Sequence, residues 1–241
     1  MTSWLVTLVV GVIAGTISGV VGTGASILLL PILVYRYGPQ YAVPVMAIAS
    51  LLSNVGKMAA WRRDIDWRAC LLYALPGIPA AALGAKTLLV LPPRVVDVAL
   101  GAFFLVMIPL RHRRRAKRAR VPGYALALGG AAIGFVTGIV LSTGPLSIPL
   151  FAAYGLTRGA LLATEAAASL ALMATKAATF GALGALPAPA LAQGVVIGAA
   201  VMAGSFVGKA IVQRISAQVF ERAIDAVLLV AGVALIGAAV R

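Results

Sequence analysis

The sequence predicts an all-α polytopic membrane protein built as two homologous halves, inverted repeats, each a broken or re-entrant helix unit followed by three transmembrane helices. Three observations carry this. Of the 241 residues, 62% are hydrophobic and only 11% charged, with a mean hydropathy of +1.05. So little polar surface cannot cover a soluble domain, and lipid must be the solvent. The chain also repeats itself 119 residues apart: Gly11, Gly15 and Gly19 recur as Gly130, Gly134 and Gly138. Ala47, Ala49, Ser50, Leu51, Lys57 and Ala59 recur as Ala166, Ala168, Ser169, Leu170, Lys176 and Ala178, and the RVVD of Arg94–Asp97 returns as the RAID of Arg222–Asp225. Finally, the apolar sequence is broken by glycine, serine and threonine at matching places in the two copies.

The apolar stretches fall near residues 4–38, 40–60, 69–91, 93–110, 121–154, 157–182, 189–212 and 217–240. The first is too long for one straight span of about 20 residues. Its middle, GVVGTGAS at Gly19–Ser26, is a poor place to continue a helix. The fifth breaks at STGP, Ser142–Pro145, where proline favours a fresh helix start. Each of these two units is either one broken crossing or a hairpin that returns to the side it left. The other stretches read as single spans. This divides the chain into a first transmembrane repeat at 1–110, a basic cytoplasmic loop at 111–120 and a second repeat at 121–241.

Charge favours the hairpin version. Of the 20 basic residues, seven lie in Arg111–Arg120, and Arg62, Arg63 and Arg68 form a second group. With two hairpins, these residues plus Arg158, Arg214 and Arg222 put 13 charges on the cytoplasmic side against three outside, Arg36, Arg94 and Arg241. With two single crossings the ratio is 11 to five. Lys and Arg are retained on the cytoplasmic side, so the first ratio fits better. The same distribution argues against nucleic acid as the partner of a chain of net charge +14 and points to anionic lipid headgroups. The N-terminus, MTSWLVTLVV, has no basic leader region and reads as a first membrane segment. A single cysteine, Cys70, excludes an intrachain disulfide and a Cys-based metal cluster, and nothing in the chain asks for a cofactor.

The repeats carry the chemistry. Glycines spaced by four lie on one helix face and let two helices approach closely in lipid, a packing role. The breaks differ, because irregular backbone at membrane depth must be buried in protein or line a wet cavity. A helix starting after each break presents N–H groups and a positive dipole end. In the first copy Gly22, Thr23, Gly24, Ala25 and Ser26 are placed to bind a small anion; in the second, Ser142, Thr143, Gly144 and Ser147. The alternative is a pair of structural breaks capped by hydroxyls. The next helix in each half adds a polar stripe: Ser50, Asn54 and Lys57 in the first, Glu165, Ser169 and Lys176 in the second. Glu165 lies well inside a span, where an ionised carboxylate is costly, which makes it a candidate proton carrier or one half of a static pair with a lysine such as Lys176. Its counterpart is Met46, so this role is not shared by symmetry. Arg94/Asp97 and Arg222/Asp225, three apart at helix starts, suit interfacial pairs and caps.

The chain resembles the sulfite exporter TauE/SafE family, also called the toluenesulfonate uptake permease family. The resemblance covers nearly the whole sequence. It rests on GVIAGTISGVVGTGASILLLPIL near the N-terminus, on the weaker second copy GAAIGFVTGIVLSTGPLSIPL and on the basic loop between halves. The first motif reads GTGAS where a denser glycine run is expected, and the second reads STGPLS. The resemblance implies a multi-pass protein of a bacterial inner membrane that moves sulfite, an organosulfonate such as sulfoacetate, or a related small anion.

The leading expectation is therefore a secondary active transporter of a small sulfur-containing or carboxylate anion, proton-coupled and working by alternating access. An anion channel would use the same broken helices, although Glu165 and inverted halves favour alternating access. An intramembrane enzyme fits poorly. The single histidine, His112, lies in the basic loop, away from any serine that it would have to activate.

Overall fold

The computed structural model describes residues 33–60, 62–113, 121–140, 143–156 and 158–212, with residue 29 and isolated positions from 222 to 237. The first glycine stripe, the first break from Gly22 to Ser26, Ser142 and most of the basic loop lie outside the described residues. Within them the chain is helical, with no strand. Seven α-helices follow one another: α1 (Pro39–Ala60), α2 (Trp67–Val90), α3 (Pro93–Arg113), α4 (Gly123–Ile139), α5 (Gly144–Tyr154), α6 (Arg158–Ala182) and α7 (Ala188–Val212). A short 3-10 turn, Arg62–Asp64, joins α1 to α2. Among the described residues the boundaries expected from hydropathy hold to within three residues, and α3 runs on through Arg113 into the basic segment. Three helical stretches, Pro39–Ala59, Trp67–Val90 and Gly159–Ala182, are long and apolar enough to cross a membrane.

Small residues set the packing. A Cβ built at Gly130 would run into the carbonyl of Tyr73, at Gly134 it would lie 2.6 Å from Gly77 O, and at Gly138 2.5 Å from both Ala81 O and Gly84 Cα. The glycine stripe of the second copy is thus the seam along which α4 meets α2, as its spacing implies. Residue numbers rise together along this seam, so the two helices run the same way. Gly77 faces Leu172, and Asp66 N–H donates to Thr164 Oγ1 at 2.9 Å, which aligns α6 with α2 in turn. Asp66 also caps α2, its carboxylate accepting from Ala69 N–H at 3.0 Å.

A second seam joins α1 to α7. Gly194 faces Val45 and Ile48, Gly198 faces Ala49 and Leu52, and Gly56 faces Met202, again in rising order. Gln40 Nε2 donates to Leu91 O at 3.2 Å and brings the start of α1 to the end of α2. Hence α1 and α7 point one way, while α2, α4 and α6 point the other. At the other flank Gly101 of α3 packs on Gly232 and Ile236, and Leu105 on Gly232. The expected Arg94–Asp97 pair does not form: Arg94 lines a surface groove with Val95 and Val98, while Asp97 turns one carboxylate oxygen inward, buried without a hydrogen-bond partner among the described residues.

The second broken unit is a hairpin. Val121 N–H donates to Ala153 O at 2.9 Å, so the start of α4 and the end of α5 meet. With 11 residues, α5 extends about 16 Å and is too short to span a hydrocarbon core of about 30 Å. It stops at Gly155, whose φ of 116° is open to glycine alone at little cost, with Leu156 N–H closing back onto Phe151 O. The same device stands in the first half. Residues 33–37 are helical and end at Tyr37–Gly38, with φ of 78° and Gly38 N–H on Val34 O at 2.9 Å. This Tyr-Gly pair matches Tyr154–Gly155 and extends the duplication to a turn that the 119-residue register skips.

Candidate functional site

The break between α4 and α5 is held by charges from α6. The helix α4 ends with Val140 as its C-cap, leaving its last carbonyls without amide partners. Lys176, fully buried, donates from Nζ to Thr137 O at 2.7 Å and Val140 O at 3.1 Å, with the Phe180 ring 5.7 Å away. A cation at the negative end of a helix dipole is favourably placed. On the other side of the break Thr143 is the N-cap of α5, and Leu146 and Ser147 N–H both turn back onto its carbonyl, at 2.8 and 2.9 Å. Pro145 has no N–H, so the donors that this helix start presents come down to the amides of Thr143 and Gly144.

The hydroxyls are engaged. Thr137 Oγ1 donates to Ile133 O at 2.6 Å, so the 2.6 Å contact between Thr137 and Thr143 uses the Thr143 proton. Ser147 Oγ donates to Glu165 Oε1 at 2.9 Å, and Ser169 Oγ donates to the same oxygen at 2.8 Å. Glu165 is 5% exposed and belongs to α6, so its carboxylate ties the first turn of α5 to α6. The single stripe Glu165, Ser169 and Lys176 therefore faces the hairpin: its acid holds one arm and its base, three turns further on, the other. Glu165 and Lys176 thus have other partners and do not pair with one another; the lysine within electrostatic range of Glu165 is Lys57.

From the first half, Lys57 reaches the same region. It is half-buried, lies 3.5 Å from Asn54 Oδ1 and is within electrostatic range of Glu165 across the α1–α6 contact. Ser50 sits two turns before it on α1, also half-buried. Of the residues singled out by sequence, the structure brings together Thr143, Gly144, Ser147, Glu165, Ser169 and Lys176 around the break, with Asn54 and Lys57 to one side. Gly22 to Ser26 and Ser142 lie outside the described residues.

Two contributors are not marked by the polar stripes or the breaks. Thr137, in the glycine stripe, joins the break through both its carbonyl and its hydroxyl. Tyr73 of α2 is buried within electrostatic range of Glu165, its ring 4.9 Å from that of Phe151 on α5. Its place opposite Gly130 marks it as packing, and nothing in the spacing marks it as a neighbour of the carboxylate. Among the described residues no group of His, Cys, Asp and Glu is placed to hold a metal.

A family profile described as Sulfite exporter TauE/SafE matches residues 7–235. A probable membrane transporter protein of Xylella fastidiosa strain Temecula1 is 29% identical over 124 residues, 48% of this chain and 48% of that relative. A protein of the same description from strain 9a5c is 33% identical over 89 residues, 35% of this chain and 34% of the relative. The matched stretches thus span about half the length of one relative and about a third of the other. No solved structure matches. With the helical spans and the broken unit in place, the profile match over nearly the whole length is decisive: the chain belongs to the Sulfite exporter TauE/SafE family of membrane transporters.

Proposed function

We propose that this chain is a secondary active transporter of a small anion, sulfite or an organosulfonate such as sulfoacetate, working by alternating access in a bacterial inner membrane and coupled to protons through Glu165. The observation that carries the reading is the buried carboxylate of Glu165 bonded to Ser147 at the start of α5. An intramembrane carboxylate facing a helix break marks a substrate or proton pathway in a transporter. The anion would lie at the two breaks, between Gly22, Thr23, Gly24, Ala25 and Ser26 and Ser142, Thr143, Gly144 and Ser147. Lys57 and Lys176 would supply positive charge, and Ser50, Asn54 and Ser169 would line the approach.

Alternating access needs halves that can exchange roles, and the helix directions support an inverted repeat of 1–110 and 121–241 about the loop 111–120. By the sequence repeat α1 corresponds to α6 and α2 to α7, and in each pair the partners run in opposite directions. The family description names sulfite export, which supports a sulfur oxyanion as substrate. The test is transport into proteoliposomes, with sulfite, sulfonates, sulfate and small carboxylates offered in turn under an imposed pH gradient. Accumulation of one class, lost in Glu165→Gln while that variant still binds the anion, is the expected outcome. Large currents with no accumulation would make the protein a channel. Accumulation driven by pH in Glu165→Gln would leave Glu165 as a structural residue.

A further inference from the structure

Two of the hydroxyls that the proposed site would offer an anion, those of Ser147 and Ser169, are already spent, and on one atom. Ser147 Oγ and Ser169 Oγ both donate to Glu165 Oε1, at 2.9 and 2.8 Å. A hydroxyl has a single proton to give, so neither can donate to an anion while it serves the carboxylate. A charged carboxylate on α6, bonded to the first turn of α5 through Ser147, also repels any anion at the start of that helix. Protonation removes both obstacles together. A carboxylic acid is a weaker acceptor than a carboxylate and brings an O–H donor of its own.

We propose that the Glu165 carboxylate and the transported anion compete for the hydroxyls of Ser147 and Ser169, so that the anion binds together with a proton and the two cross the membrane in the same direction. The inference rests on the anion site proposed above and adds the sign of its coupling. The proton enters from water onto a Glu165 oxygen, the two serine protons stay on their oxygens and rotate towards the anion, and no covalent bond other than the O–H of the acid is made. The reverse follows on release.

The surroundings of Glu165 let it be the group that responds. From α1 it is faced by Lys57, and from α2 by Tyr73, while Asp66 meets its neighbour Thr164. The 3-10 turn against α6 carries Arg62, Arg63 and Asp64, all exposed to solvent. From α5 it is faced by the non-titrating Ser147. On α6 itself Lys176 is occupied by the carbonyls of Thr137 and Val140, and Arg158 lies at the helix start. The described part of α4 has Tyr124 as its single titratable group, exposed at the far end.

The experiment is calorimetric binding of methanesulfonate, whose charge is constant from about pH 5 to about pH 8, to the purified full chain, in two buffers of different ionisation enthalpy. The wild type should bind more tightly as pH falls, by up to about tenfold per unit, and should take up as much as one proton per anion where that slope is steepest. Glu165→Gln should bind with the tight, low-pH affinity at every pH and take up none. Ser147→Ala should weaken binding by about tenfold at low pH and by much less at high pH, where the wild-type hydroxyl is committed to the carboxylate. A purely structural serine would lower affinity equally throughout. Wild-type binding with no pH dependence, or with proton release, overturns the competition while leaving the anion site standing. No binding by wild type or Glu165→Gln to methanesulfonate or sulfite at any pH overturns the site and the competition with it.

Discussion

Lys176 shows how a residue's type leaves its partners open. A lysine on a polar stripe in an anion transporter suggests a substrate contact, yet two of its three donors go to the carbonyls of Thr137 and Val140. Its first task is to hold the end of α4, whose carbonyls would otherwise be buried without partners. Lys176→Met should therefore lower the stability of the folded protein by about 1–3 kcal/mol, the range for leaving buried acceptors unsatisfied. Thermal unfolding in detergent measures this, with Lys86→Met as the comparison, because Lys86 is exposed on α2 and its loss should change little. Equal effects from the two changes would mean that the carbonyls find other donors and that Lys176 is no clamp.

At the scale of elements, the two close seams are made by the absence of side chains. The axis of α4 can approach α2 because Gly130, Gly134 and Gly138 meet Tyr73, Gly77 and Gly84 with no Cβ between them. Even the smallest addition has nowhere to go, since the obstacles are backbone atoms. Gly134→Ala should cost about 1–3 kcal/mol or prevent folding, by forcing the helices apart. Gly181, in the last turn of α6, has open space around its Cβ position, and Gly181→Ala should instead stabilise by about 0.5–1 kcal/mol. If the two substitutions shift the melting temperature alike, the seam is looser than the described contacts imply.

For the molecule as a whole, the directions of the helices fix which ends share a side. Trp67 and Tyr124 stand exposed at the starts of the parallel helices α2 and α4, whereas Tyr35, before α1, and Leu183, after α6, are exposed at the opposite end. Aromatic residues at both ends suit the two membrane interfaces. Cys70 is buried and is the single native cysteine, so a Cys70→Ala background permits labelling with an impermeant thiol reagent. Trp67→Cys and Tyr124→Cys should label from the cytoplasmic side, beside Arg62, Arg63 and Arg68, and Tyr35→Cys and Leu183→Cys from the other. Labelling of Tyr124→Cys and Leu183→Cys from the same side would break the proposed inverted arrangement.

Much of this could be read from the chain. Long apolar runs leave few alternatives to spanning helices, because in lipid the backbone must satisfy its own hydrogen bonds, and so helix limits follow hydropathy closely. The role of the Gly130 stripe was equally legible, since spacing by four puts small residues on one face whatever they meet. That α4 and α5 turn back on themselves was favoured only by a few charges: a break can be crossed or folded, and the decision lies in a contact between Val121 and Ala153, 32 residues apart. The partners of Lys176 and Glu165 were hidden for the same reason. A stripe records which side chains share a face of α6, but what lies opposite that face depends on how the hairpin docks. Tyr73 is the clearest case, a packing residue by its pattern that the fold carries to the neighbourhood of the buried carboxylate.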